Sequence, residues 1–172
     1  FPAFFLGIML IYSKERRYFG DFLFGIAFLF FALVLLSGAG KALDLEHNPS
    51  VIDFFSSFDT KSHLTIIIFL LIGTLITCIV QSSAAVMAIT ILLCSTGVLP
   101  IYLGIALVMG ENIGTTATAN LAALGANAQA RRAALAHLVF NVFGVVWVLC
   151  LFYPFVDMVC SFVGYDPDGN ML

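Results

Sequence analysis

Val80-Gln81-Ser82-Ser83-Ala84-Ala85 and, further along, Gly110-Glu111-Asn112-Ile113-Gly114-Thr115-Thr116 decide how this chain is read. Both are small, polar interruptions in sequence that is otherwise apolar. Glu111 is the one formal charge between Lys61 and Arg131. Hydrophobic residues make up 62% of the chain and charged residues 10%, against about 25% charged in a soluble domain. Mean hydropathy is +1.09. Apolar surface on that scale needs lipid as its solvent, so the fold class is an all-α, polytopic integral membrane bundle. The net charge is -3, and without a basic patch the chain is not expected to bind nucleic acid. Cys78, Cys94, Cys150 and Cys160 lack metal-type or paired spacing and read as small packing residues.

Two uncharged arms, Leu64 to Val80 and Ala84 to about Val98, flank the first interruption. The tip between them carries no charge and few loop residues. We therefore expect a re-entrant helical hairpin that stops inside the membrane, where non-helical backbone survives only under protein or against a watery cavity. Ile101 to about Leu124 is the next span. Its glycines permit unwound backbone, and Thr115 and Thr116 can cap a second half-helix, so a broken transmembrane helix is expected at Gly110 to Thr116. Gly110 and Gly114 also fit a small-xxx-small packing stripe, a weaker reading of the same residues. Arg131 and Arg132 place the following loop inside. Ala133 to Tyr153 is the last clear span, ended by Pro154, with His137 and Asn141 on one face.

Upstream, Phe1 to Tyr12 is apolar but too short to span, as if cut from a longer helix. Lys14-Glu15-Arg16-Arg17 marks an inside loop. A span from about Tyr18 to Leu36 is expected to end at Ser37-Gly38-Ala39-Gly40. The polar stretch from Lys41 to Ser62 is placed outside. Within it, Val51, Phe54, Phe55 and Phe58 follow Asn48-Pro49 with helical spacing and predict a short interfacial helix. The tail, with Asp157, Asp166 and Asp168, also reads as outside. The organisation expected is 1–62 for linking helices and outer loop, 63–153 for a transporter repeat and 154–172 for an outer tail.

Helix N-termini offer free N–H groups and positive partial charge to anions. Such termini are expected after Ser83 and after Thr116. Helix C-terminal carbonyls, with the oxygens of Gln81, Ser82, Asn112 and Thr115, suit a hard cation such as Na⁺. Opposed ends of interrupted helices at mid-membrane are the pattern of secondary transporters built from inverted repeats. Glu111 is costly in a bilayer and becomes reasonable beside a cation, when protonated, or paired with a base elsewhere. Two readings compete with transport. One is an intramembrane serine hydrolase joining Ser82 or Ser83 to His137, although Ser82 lacks a Gly-x-Ser-x-Gly elbow. The other is a non-transporting membrane scaffold. We expect no enzyme.

The two motifs above, with Ala130-Arg131-Arg132-Ala133-Ala134-Leu135-Ala136-His137 and Phe140-Asn141-Val142, resemble the bacterial sodium/phosphate cotransporters related to the type II renal family. The likeness runs from about Leu64 to Tyr153. That family carries two inverted repeats, each with a Gln-Ser-Ser-Ser tip and a Gly-x-Asn-Ile-Gly-Thr break, and this chain is similar to the second. The resemblance implies sodium-coupled phosphate symport in the cell membrane, by a multi-pass protein. Its implied partners are inorganic phosphate, sodium ions, the lipid bilayer and a missing first repeat, with Na⁺ as coupling ion and no other cofactor. It implies phosphate contacts from Ser82, Ser83, Asn112, Thr115 and Thr116, and sodium contacts from Gln81, Ser82, Glu111, Asn112 and Thr115. Ala84 stands where the family has a third tip serine, which removes one hydroxyl. Glu111 occupies the variable position of the break, as the resemblance implies for many bacterial second repeats, whereas other members carry a small neutral residue there.

Overall fold

A computed structural model of the chain describes residues 2–12, 16–42, 44 and 47–167. Lys14, Glu15 and Asp168, used above to argue sidedness, lie outside the described residues. The regular elements among the described residues are helices, and the chain divides into two compact units, 1–44 and 45–172.

The first unit is a helix pair. α1 (Pro2–Ile11) packs on α2 (Arg17–Ala42). Gly7 lets the α2 backbone approach at Phe24, and Gly20 does the same for α1 at Leu10 and Ile11. Phe4 packs edge-on against Phe24 and Phe28, at 5.5 and 5.1 Å between ring centroids. α2 does not end at Gly38 or Gly40, as its sequence predicts. It continues to Ala42, and the left-handed residue that follows is Asp44, φ 45°.

The second unit holds α3 (Pro49–Ser56), α4 (His63–Val80), α5 (Ser83–Ser95), α6 (Ile101–Ala123), α7 (Ala128–Cys150) and α8 (Phe152–Val163). α3 is the short helix expected after Asn48, whose side chain accepts from the Ser50 N–H at 3.1 Å. Pro49 opens it because a first-turn residue needs no N–H partner. Pro154 plays the same part in α8. It sits in that helix's first turn, whereas α7 ends earlier, at Cys150.

The core lies between α4 and α6, with α7 and α8 closing one end. Ile66, Phe69 and Leu70 of α4 meet Tyr102, Leu103, Ala106 and Leu107 of α6, and Phe152 and Val156 of α8 complete the cluster. Tyr102 is the polar tie at that end. Its hydroxyl lies 2.6 Å from Asp157 Oδ1 and 3.2 Å from Lys61 Nζ. Tyr153 donates to the Thr60 carbonyl at 3.1 Å and stacks edge-on with His63.

Among the described residues, three helices are long and apolar enough to cross a membrane: Arg17–Ala39, His63–Val80 and Ala128–Cys150. Only 6% of the first and the last of these windows is buried within the protein, as helices with lipid for solvent require. α5 has 13 residues, which at 1.5 Å per residue reaches ~20 Å, short of a hydrocarbon core of ~30 Å.

Candidate functional site at the hairpin tip

The two interruptions behave differently. At the first, the chain breaks. Gln81 adopts the left-handed conformation, φ 57° and ψ 24°, and its N–H closes on the Thr77 carbonyl at 2.8 Å. A side chain in that region costs roughly 1–2 kcal/mol relative to right-handed backbone. Gln81 and Gly97, at the two ends of α5's hairpin arm, are both left-handed, yet only Gly97 avoids this cost. Ser82 is extended and is the N-cap of α5, its Oγ accepting from the Ala85 N–H at 3.4 Å. A two-residue link, Gln81-Ser82, therefore joins α4 to α5.

At the second interruption the helix continues. α6 runs unbroken from Ile101 to Ala123, which corrects the expected break. The glycines are used for contact instead. A Cβ on Gly110 would strike the Leu70 carbonyl, one on Gly73 of α4 would strike the Leu107 carbonyl, and one on Gly114 would lie 2.6 Å from the Thr74 carbonyl oxygen. Backbones this close leave no room to unwind. Thr74 Oγ1 lies 3.0 Å from both the Leu70 and the Gly110 carbonyls, bridging α4 to α6. Thr115 and Thr116 do not cap a second half-helix. Thr115 donates to the Glu111 carbonyl at 2.9 Å, and Thr116 donates to that of Ile113 at 2.8 Å. Small-xxx-small packing, the weaker sequence reading, is what these residues do.

Tip and helix nevertheless meet. Thr77, Gln81, Ser82, Ser83, Ala84, Thr115 and Thr118 line a cavity of about 180 Å³. Of the expected ligands, it gathers Gln81, Ser82, Ser83 and Thr115. Asn112 is exposed and Thr116 is buried, and both lie outside the lining. Thr77 and Thr118 were missed. Helical spacing marks both, since Thr77 is one turn before Gln81 and Thr118 is three residues after Thr115.

No formal charge lines this cavity; its polarity comes from hydroxyls, one amide and helix ends. The first N–H groups of α5, at Ser83 and Ala84, have no partner within the helix, and they carry the positive end of its dipole. The last carbonyls of α4 carry the negative end of the other. The arrangement can hold an anion and a cation side by side, each by backbone dipoles and uncharged oxygens.

Glu111 lies elsewhere. It is 1% exposed, and its Oε1 is 3.1 Å from Thr90 Oγ1 of α5. Thr90 Oγ1 is also 3.0 Å from the Val86 carbonyl. Glu111 thus ties α5 to α6 and is absent from the tip lining. Asn120 ties α6 to α7, with Nδ2 donating to the Ala134 carbonyl at 2.8 Å. His137 is exposed, and its backbone carbonyl accepts from Asn141 at 3.0 Å. Among the described residues no hydrogen bond joins His137 to Ser82 or Ser83, and the Ser82 hydroxyl is engaged as a cap, so the hydrolase pairing gains nothing from the geometry.

Residues 57–160 match the model of the Na⁺/Pi-cotransporter family. The chain belongs to that family. Human sodium-dependent phosphate transport protein 2B is 32% identical over 129 residues, covering 73% of this chain and 18% of that protein. The uncharacterized protein YqeW of Bacillus subtilis (strain 168) is 38% identical over 94 residues, covering 55% of this chain and 29% of that one. YjbB of Escherichia coli (strain K12), whose name proposes inorganic phosphate export, is 28% identical over 163 residues, covering 93% of this chain and 28% of its own. The chain spans less than a third of the length of these relatives. No solved structure matches it. The matched stretch contains the whole α4–α5 hairpin and α6, so the tip cavity lies inside the family's region.

Proposed function

We propose that this chain supplies half of the transport site of a longer, multi-pass, two-repeat protein that carries inorganic phosphate across the plasma membrane by sodium-coupled symport. The α4–α5 hairpin is re-entrant in this reading. Its polar tip reaches the middle of the bilayer, where a first repeat in inverted orientation would face it.

The observation that carries the reading is the tip cavity. A helix N-terminus, a helix C-terminus and the Ser82, Ser83 and Thr115 hydroxyls converge there without a formal charge. Phosphate is held by the Ser83 and Ala84 N–H groups with the tip and Thr115 hydroxyls. Sodium is held by oxygens at the α4 end, including Gln81. Because α6 is continuous, one helix N-terminus serves the anion, not two, and the second must come from the other repeat. Glu111, Asn112 and Thr116 leave the ligand set, since none lines the cavity.

The test is phosphate uptake into vesicles holding the full-length protein. Ser82→Ala and Thr115→Ala are expected to raise the phosphate or sodium concentration needed for half-maximal uptake. Unchanged kinetics in both would leave these hydroxyls as packing groups and sink the site. Efflux driven by outward sodium removal, with no uptake under an inward gradient, would instead favour export, the activity that the name of the Escherichia coli relative proposes.

A further inference from the structure

Among the described residues, two buried side-chain atoms lack a hydrogen-bond partner, Thr77 Oγ1 and Glu111 Oε2. Thr77 is the one that lines the tip cavity. Threonines inside helices usually return their hydroxyl to a carbonyl one turn back. Thr74, Thr90, Thr115 and Thr116 all do so here. Thr77 does not, although it is 1% exposed. Such an orphan costs about 1–3 kcal/mol in desolvation, so a partner from outside the protein is the economical reading.

Its orientation has a cause. Gly114 of α6 packs directly on Thr77, and a Cβ there would lie 2.8 Å from Thr77 Cβ and 3.2 Å from Cγ2. The α6 backbone therefore presses on the methyl side of Thr77. The glycine that lets the helices touch also fixes how this hydroxyl is presented.

We propose that Thr77 is a ligand of the coupling cation, its hydroxyl oxygen completing an oxygen cage for a hard monovalent ion at the C-terminal end of α4. This rests on the reading of the tip cavity as the transport site. A hydroxyl can serve as donor or acceptor, and its place in the fold decides between them. Thr77 is in the last turn of α4, where the dipole is negative and the terminal carbonyls are short of donors. Its own carbonyl is occupied by the Gln81 N–H at 2.8 Å, and those of Cys78, Ile79 and Val80 follow it in the terminal turn. The anion's donors lie across the link, on α5. An oxygen on the α4 side is thus placed for the cation.

The experiment uses the full-length transporter in vesicles, with uptake followed over separate sodium and phosphate series. Thr77→Val keeps the shape and the methyl packed on Gly114 but removes the oxygen. It is expected to raise the sodium concentration for half-maximal uptake by roughly tenfold or more, about the cost of one ligand, and to leave the phosphate KM at saturating sodium within about twofold. Thr77→Ser, which keeps the oxygen, is expected to stay close to wild type. An unchanged sodium requirement in Thr77→Val overturns the proposal, and so does a change in phosphate KM alone. Wild-type uptake indifferent to sodium overturns the transport reading and this proposal with it. Sodium-dependent wild-type uptake with an unaffected Thr77→Val overturns only the role of Thr77. Should Thr77→Val not fold, sodium-induced thermal stabilisation of purified Thr77→Ala decides: its loss supports the proposal and its retention overturns it.

Discussion

The link at Gln81-Ser82 and the stretch from Gly110 to Thr116 have similar composition and opposite structures. Both place small and hydroxylated residues within apolar helix. One breaks the backbone at a left-handed glutamine; the other passes through two glycines without leaving the helix. The difference is what the backbone touches. Gly110 and Gly114 lie against α4 carbonyls, and the threonines that follow return their hydroxyls to α6. There the threonine hydroxyls and Glu111 Oε1 are met by protein, and among the described residues Glu111 Oε2 is buried without a partner. At the tip, the ends of two helices face a cavity lined by hydroxyls and one amide. In a membrane helix, glycine marks flexibility only where nothing packs on it.

The largest expected effect breaks that contrast at its tightest point. Gly110→Ala drives a methyl into the Leu70 carbonyl, and overpacking of this kind costs about 1–3 kcal/mol and occasionally more. We expect Gly110→Ala to sit at or above the top of that range, read as a fall in thermal unfolding of the detergent-solubilised protein. Gly125→Ala, with open space around its Cβ, should not destabilise. Equal behaviour of the two would mean that α6 does not pack on α4 as described.

Next in size is the tie between α5 and α6. Thr90→Val removes the hydrogen-bond partner of the buried Glu111 and should destabilise by about 1–3 kcal/mol, the cost of an unsatisfied buried group. Thr90→Ser should restore most of it. At the tip, Ser82→Ala loses the α5 N-cap and should cost about 1 kcal/mol while raising the phosphate requirement. Gln81→Gly should move the other way in stability, gaining about 1 kcal/mol by removing the left-handed side chain, yet lower uptake through loss of the amide. That split between stability and transport is what separates a strained functional residue from a poor turn residue. The smallest effect belongs to Asn112→Ala. Being exposed and outside the cavity, it should change stability by less than about 0.5 kcal/mol and leave uptake near wild type.

Much of the architecture was legible. Composition dictated membrane helices, Asn48-Pro49 announced α3, and the uncharged Gln81-Ser82-Ser83 announced the tip. In the turn between α5 and α6, Gly97 is left-handed at φ 74°. The fate of Gly110 and Gly114 was not legible, because glycine permits both unwinding and close contact, and only the position of α4 decides between them. The same holds for α2, which runs past Gly38 since nothing at that position requires it to stop. Gln81, Ser82, Ser83 and Thr115, singled out as polar groups at the two interruptions, do come together in the lining of one cavity. Thr77 was not legible, because its orphaned hydroxyl follows from the press of Gly114, a tertiary fact. Glu111 attracted attention as a lone charge, but its partner Thr90 is brought to it by the fold of the hairpin.

Amide hydrogen exchange on the full-length protein, resolved to single residues across both stretches, tests the central contrast most directly. Fast exchange is expected at Ser83 and Ala84, slowing when sodium and phosphate are present together, with slow exchange from Gly110 to Thr116 under all conditions. Rapid exchange at Gly110 to Thr116, comparable to the tip and slowed by the same ligands, would contradict the account, because α6 would then be a broken helix that binds substrate itself.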